Sequence, residues 1–150
     1  MSRVIKAATV DVSVVIRIID STDGTPENGV VAATAGLVLE YRRELAASVS
    51  LATIVDLAAL TTAHTDKGIK LIGNGYYRLD LVDAACASGA TGVLVHGTVT
   101  GMVVIGEYVE LVAYDPQDAV RMGMTGIPAA LVGGRMDSSV GAMAANVLTA

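Results

Sequence analysis

Residues Thr9–Ile19 read TVDVSVVIRII. In an extended chain Val10, Val12, Val14, Ile16 and Ile18 fall on one face, with Asp11, Ser13 and Arg17 on the other. This period of two marks a strand with one face in a core. The stretch is β-branched almost throughout, which suits a pleated surface better than a helix. It sets the expectation for everything up to Tyr114.

Working outward, Asp20–Gly29 (DSTDGTPENG) is a cluster of turn residues in which Gly24 and Gly29 accept positive φ and Pro26 fixes its own. Gly36–Arg43 alternates again, with Leu37, Leu39 and Tyr41 inward, and is expected to lie beside the first strand across that loop. Ser50–Leu60 (SLATIVDLAAL) breaks the pattern. Leu51, Ile54, Val55 and Leu57 or Ala58 follow helical spacing behind Ser50 as N-cap, which predicts a short helix. His64–Gly68 reads as a turn, Ile69–Ile72 as a short strand and Gly73-Asn74-Gly75 as a turn. In Tyr76–Leu81, Tyr77, Leu79 and Leu81 are expected to face in, with Arg78 and Asp80 facing out. The segment VDAACASGA predicts a single helical turn ending near Gly89. Thr91–Thr100 and Met102–Ala113 read as two strands in a hairpin about Gly101. About six strands without βαβ alternation predict a mainly β fold, an antiparallel Ig-like β-sandwich with a small open barrel as the competing shape.

Asp115–Ala150 differs in kind: it is rich in Ala, Gly and Met and sparsely charged. The chain therefore divides into a β domain, 1–114, and a short helical or irregular tail, 115–150. Asp115-Pro116 has the form of a helix start, with Asp as N-cap and Pro at the first helical position. Gly126 and Pro128 interrupt it, and Gly133-Gly134 is a second break. Asp137 or Ser138 caps a last segment in which Val140, Met143, Ala144 and Val147 share a stripe. Helices this short are marginal alone in water. Val120, Met122, Met124, Ile127, Val140, Met143 and Val147 are thus the candidate docking or oligomerisation residues.

Composition narrows the function. The chain is 53% hydrophobic with no Trp or Phe, five Tyr and one Cys, and its formal net charge is −5. Its mean hydropathy is +0.59. A core without Phe or Trp rests on Val, Ile, Leu, Met and Ala, and thin cores of this kind are often completed by a neighbouring subunit. The most apolar stretch, Gly92–Val112, is interrupted by His96, Glu107, Glu110 and glycines, so no membrane span is expected. The start, MSRVIKAATVDV, lacks the apolar core of a secretory signal. No basic stripe follows Arg42-Arg43, so no nucleic-acid partner is expected. Cys86 reads as a buried, inert thiol.

No catalytic, cofactor-binding or metal-ligating residue is assigned. Asp20, Asp23 and Glu27 crowd one loop, but turn formation explains them better than a calcium loop's spacing does. His64, His96 and one Cys do not make a zinc pattern, and His96 is expected on the solvent side of its strand. No nucleophile–base pair and no phosphate-cradling loop is legible, so the chain is not expected to be an enzyme. Tyr41, Tyr76, Tyr77, Tyr108 and Tyr114 raise a second class of function, a carbohydrate-binding module. Of these, Tyr41 and Tyr77 fall on core faces.

DGTPENGV (23–30), LEYRREL (39–45), GYYRLDLVDAACASGA (75–90), the final hairpin and DPQDAVRMGMTGIPAA (115–130) together resemble a family of tailed-bacteriophage virion structural proteins. In that family a β-sandwich head precedes a connector of the form DxQDxVRxGxTxxP and often an Ala-rich stalk; GGRMDSSVGAMAANVLTA (133–150) resembles the start of such a stalk. Val82 stands where the family pattern has Pro. The resemblance implies a virion location and a non-enzymatic, self-associating attachment module of the head- or tail-fibre type. Its partners would be copies of itself, commonly three, and other virion proteins of the capsid, portal, neck or tail. A capsid decoration (cement) protein is the alternative within the same class.

Overall fold

A computed structural model describes residues 3–117 and the backbone of 131–132 and 135–136. Among these residues the chain forms β1 (Arg3–Lys6), β2 (Ser13–Asp20), β3 (Val38–Arg43), β4 (Ser48–Ser50), β5 (Val55–Asp56), β6 (Gly68–Gly73) and β7 (Tyr76–Asp80). A 3-10 turn at Asp83–Cys86 follows, then β8 (Gly92–Val99), β9 (Met102–Ile105), β10 (Glu107–Val112), β11 (Leu131–Val132) and β12 (Arg135–Met136). The backbone divides into two units, Met1–Ala113 and Tyr114–Ala150.

The first unit is mainly β: a single open, mixed sheet in the order β1-β10-β8-β9-β2-β7-β6-β5, with β3 and β4 branching from β8. Pairing is antiparallel except at the two edges, where β1 runs parallel to β10 and β5 to β6. Buried residues from both ends of this order meet in one core. Val14, Ile16 and Ile18 of β2 and Tyr77 and Leu79 of β7 pack with Leu39 and Tyr41 of β3, Val93 and Val95 of β8, and Val109 of β10. The sheet thus closes over its own apolar face, as a sandwich or an open barrel does.

The expected alternation holds over Val12, just before β2, and Val14, Ile16 and Ile18 within it, all buried. It begins at Ser13 rather than Thr9, because Asp11 takes φ 56° and breaks the extended run. Val10 consequently lies in solvent instead of in the core. β1, formed by RVIK, carried no local strand pattern. β2 and β3 are not neighbours: β2 pairs with β7 and β9, whereas β3 pairs with β8 and β4.

The helix expected over Ser50–Leu60 is absent. The segment is extended, with Leu51 N–H donating to Leu39 O, Val55 N–H to Lys67 O and Leu57 N–H to Ile69 O. Leu51 and Leu57 are buried by this route. Thr53 at φ 65° and the β-branched Thr53-Ile54-Val55 run oppose helix formation, and carbonyls of neighbouring segments take the amides a helix would have used.

Asp80 is also placed differently from its expected outward position: it is fully buried. The face of β7 that carries Arg78 and Asp80 is covered by the 57–67 segment. Arg78 grips Asp80 through two hydrogen bonds of 2.7 Å and donates to Leu60 O and Thr62 O. Asp80 further accepts from Ser13 Oγ at 2.6 Å and Thr65 N–H at 3.0 Å. A polar pair becomes interior here because the covering loop supplies carbonyls and an amide.

Gly106 divides what the sequence presents as one long strand. Thr98 pairs with Val103 but Val95 with Glu107, so Val104, Ile105 and Gly106 oppose only His96 and Gly97. This is a β-bulge, and it reverses the inward phase. Val103 and Ile105 are exposed, while Val109 and Leu111 are buried. A Cβ at position 106 would lie 1.7 Å from Val95 O. Gly106→Ala is therefore expected to destabilise the unit by about 1–3 kcal/mol through forced backbone movement, read as a lower urea midpoint.

In the second unit, β11 and β12 pair antiparallel with Leu131 opposite Met136 and Val132 opposite Arg135, flanking Gly133-Gly134 in sequence.

Candidate functional site

The docking residues assigned from sequence, Val120, Met122, Met124, Ile127, Val140, Met143 and Val147, lie outside the described residues, as do the helices expected around them. The described start of the segment carries a capping contact: Gln117 N–H donates to Asp115 Oδ1 at 2.9 Å. That is the bond an N-cap Asp makes to the second residue of a turn.

The other residues weighed from sequence have structural partners. Asp20 Oδ1 accepts the Thr22 and Asp23 amides, and Asp23 Oδ1 accepts the amide and hydroxyl of Thr25, so both carboxylates serve the turn. The Thr25 hydrogen bonds hold the Asp23 carboxyl below the usual carboxylate range. His96 lies on the outer side of β8, with Nε2 3.1 Å from Ser48 Oγ and Nδ1 3.7 Å from Glu40 Oε2. His64 sits elsewhere, with Nδ1 3.2 Å from Asp11 Oδ1 and Nε2 3.3 Å from Val12 O. Cys86 is buried in the core, and burial pushes its thiol up.

The five tyrosines separate by role. Tyr41 and Tyr77 are core residues. The Tyr77 hydroxyl donates to Glu27 O at 2.8 Å and accepts Val30 N–H at 3.1 Å, pinning the 20–37 loop to the sheet. Burial raises the phenol's pKa, the Val30 bond opposes this, and the charge of Glu27 adds to the rise, so the hydroxyl remains a donor. Tyr114 is exposed in the second unit.

Tyr76 and Tyr108, distant in sequence, come together at one groove on the outer side of the sheet. The groove has a volume of about 780 Å³, and Val15, Arg17, Leu94 and Glu107 also line it. Tyr76 is 42% exposed and Tyr108 43%. Arg17 is the shared neighbour in a cross-strand row, opposite Tyr76 on β7 and Ile105 on β9. Its guanidinium carbon lies 5.2 Å from the centre of the Tyr76 ring. Glu107 Oε2 accepts Val15 N–H at 2.9 Å. Sequence reading missed Arg17 and Glu107 as site residues. The only local signal was a cation on the outward phase of the most apolar strand.

Comparison with protein-family models, with curated proteins and with solved structures finds no significant match to this chain.

Proposed function

We propose that this protein is a non-enzymatic structural component of a tailed-phage virion, a self-associating appendage module. Residues 1–114 are its folded head, and residues 115–150 are its docking or oligomerising element. The observation that carries this reading is the division of the backbone at Tyr114. Among the described residues the core is furnished by Val12 to Leu111. Repeated, symmetric assembly suits such an arrangement, since each copy contributes a short element that is marginal alone. The likeness of 75–90 and 115–130 to virion structural proteins points the same way, with capsid, portal, neck or tail proteins as the further partners.

Deletion of 115–150 tests this. The remaining chain is expected to keep its β circular-dichroism signal and a cooperative unfolding transition while losing self-association and incorporation into particles. A truncated chain that assembles and incorporates like the full chain would overturn the reading.

A further inference from the structure

The groove on the outer sheet face originates in the bulge at Gly106. β9 runs beside β2 as far back as Arg17, whereas β10, past the bulge, leaves β2 to pair with β8 and β1. Among the described residues no strand pairs with Ser13–Ile16 on that side. Glu107 reaches across the opening to accept the Val15 amide, which a strand partner would otherwise have taken.

The chemistry left facing the groove is mixed in a specific way. Arg17 Nε is buried and has no hydrogen-bond partner among the described residues. Arg17 and Glu107 line the same groove without forming an ion pair within 4.0 Å. Only one oxygen of Glu107 accepts a hydrogen bond from the described residues. The ring of Tyr108 lies over Gly92, where a Cβ would stand 1.9 Å from the phenol oxygen. Gly92 thus gives the ring its place, and Arg17 stacks on the other tyrosine.

We propose that this groove is a saccharide-binding site, taking a neutral glycan whose C–H face rests on Tyr76 and Tyr108 while its hydroxyls bond Arg17 and Glu107. Each part of the site matches one part of such a ligand. Half-exposed tyrosines provide flat, polarisable surface with a polar edge. A guanidinium donates and a carboxylate accepts, and both bonds are stronger for being charged. The two charges cancel locally: an anionic ligand meets Glu107, and a cationic one meets Arg17. The volume falls within the range of about 300–1,000 Å³ typical of small-ligand sites.

The test is saturation-transfer and chemical-shift NMR on the full chain. The neutral probes are methyl glucoside, lactose, mannobiose and diacetylchitobiose, and sialyllactose is the acidic comparison. At least one neutral probe is expected to bind at about 10 mM or below, with shifts confined to residues lining the groove and the acidic probe weaker. Tyr108→Ala and Arg17→Met are each expected to lower that affinity by about tenfold or more. Gly92→Ala, which substitutes no groove side chain but displaces the Tyr108 ring, is expected to do the same. Leu60→Ser, at an exposed site elsewhere, is expected to change nothing. The proposal is overturned if no neutral probe binds, or if binding maps away from the groove or survives both Tyr108→Ala and Arg17→Met. It is overturned equally if Tyr108→Ala changes the mass of the particle in solution, which would assign the groove to a protein contact.

Discussion

Replacing Asp80 with alanine is expected to destabilise the β unit by about 3–5 kcal/mol, the usual effect of removing one partner from a buried ion pair. At this chain length that lowers the midpoint of thermal unfolding by roughly 10–20 °C. The side chain is fully buried and accepts from Arg78, Ser13 and Thr65 together. Alanine leaves a largely buried guanidinium, a hydroxyl and an amide without their acceptor. Asp80→Asn preserves the shape and part of the bonding, so its effect is smaller, about 1–3 kcal/mol.

The same residue gives the unit an acid limit. Burial pushes the Asp80 carboxyl up, but hydrogen bonds from Arg78, Ser13 and Thr65 and the charge of Arg78 outweigh it, so its pKa in the folded chain is lowered. A carboxyl with a lowered folded value contributes stability that is fully present above its unfolded pKa of about 3.9. That contribution is lost as pH falls from there through the folded value. Wild-type stability should therefore drop below about pH 4, and Asp80→Asn should flatten that part of the profile. Equal pH dependence in both proteins would show that Asp80 is not the group responsible.

Tyr77→Ala is expected to have an effect of similar size, about 3–5 kcal/mol, from the loss of a fully buried aromatic ring. Tyr77 also joins two parts of the molecule. Its ring sits in the core opposite Ile16, and its hydroxyl holds Glu27 O and Val30 N–H of the 20–37 loop. Tyr77→Phe separates these roles. It keeps the ring but strands the Val30 amide, at about 1–3 kcal/mol. Hydrogen exchange should then report faster opening of 27–31 than of β2. If Tyr77→Phe leaves exchange in that loop unchanged, the hydroxyl does not anchor it.

Local alternation was readable wherever one face of a strand is buried and the other is wet. Val14, Ile16 and Ile18, and likewise Tyr77, Leu79 and Leu81, lie where their spacing put them. The Gly73-Asn74-Gly75 turn between β6 and β7 was equally legible, since all three residues adopt positive φ. Three features were not legible, for separate reasons. The apolar spacing of Leu51, Ile54, Val55 and Leu57 fits a helix and an extended segment equally, and long-range amide partners decided between them. The pairing of β2 with β7 and β9 is non-local and leaves no mark in either strand's own pattern. In an unbroken strand over Met102–Ala113 the odd-numbered Val103, Ile105, Val109 and Leu111 would share one face, but the bulge at Gly106 puts the first two outside and the last two inside.

That bulge is also why the groove could not be read in advance. Tyr76 fell on the outward phase of its strand, but its meeting with Tyr108 depends on Arg17 standing opposite Tyr76 and on the phase reversal that turns Tyr108 outward. The docking residues present the opposite situation. A stripe of Val140, Met143, Ala144 and Val147 is expected from spacing alone, and these residues lie outside the described part of the chain.

The central claim, that the chain assembles through 115–150, is tested most directly by its mass in solution. Sedimentation velocity of the full chain across a range of concentrations should give an integral multiple of the 15.3 kDa protomer. The pair of changes Val140→Asp and Met143→Asp should return it to the single-copy mass with the β signal intact. A full chain that sediments at 15.3 kDa at every concentration, or a multimer indifferent to those two charges, would contradict it.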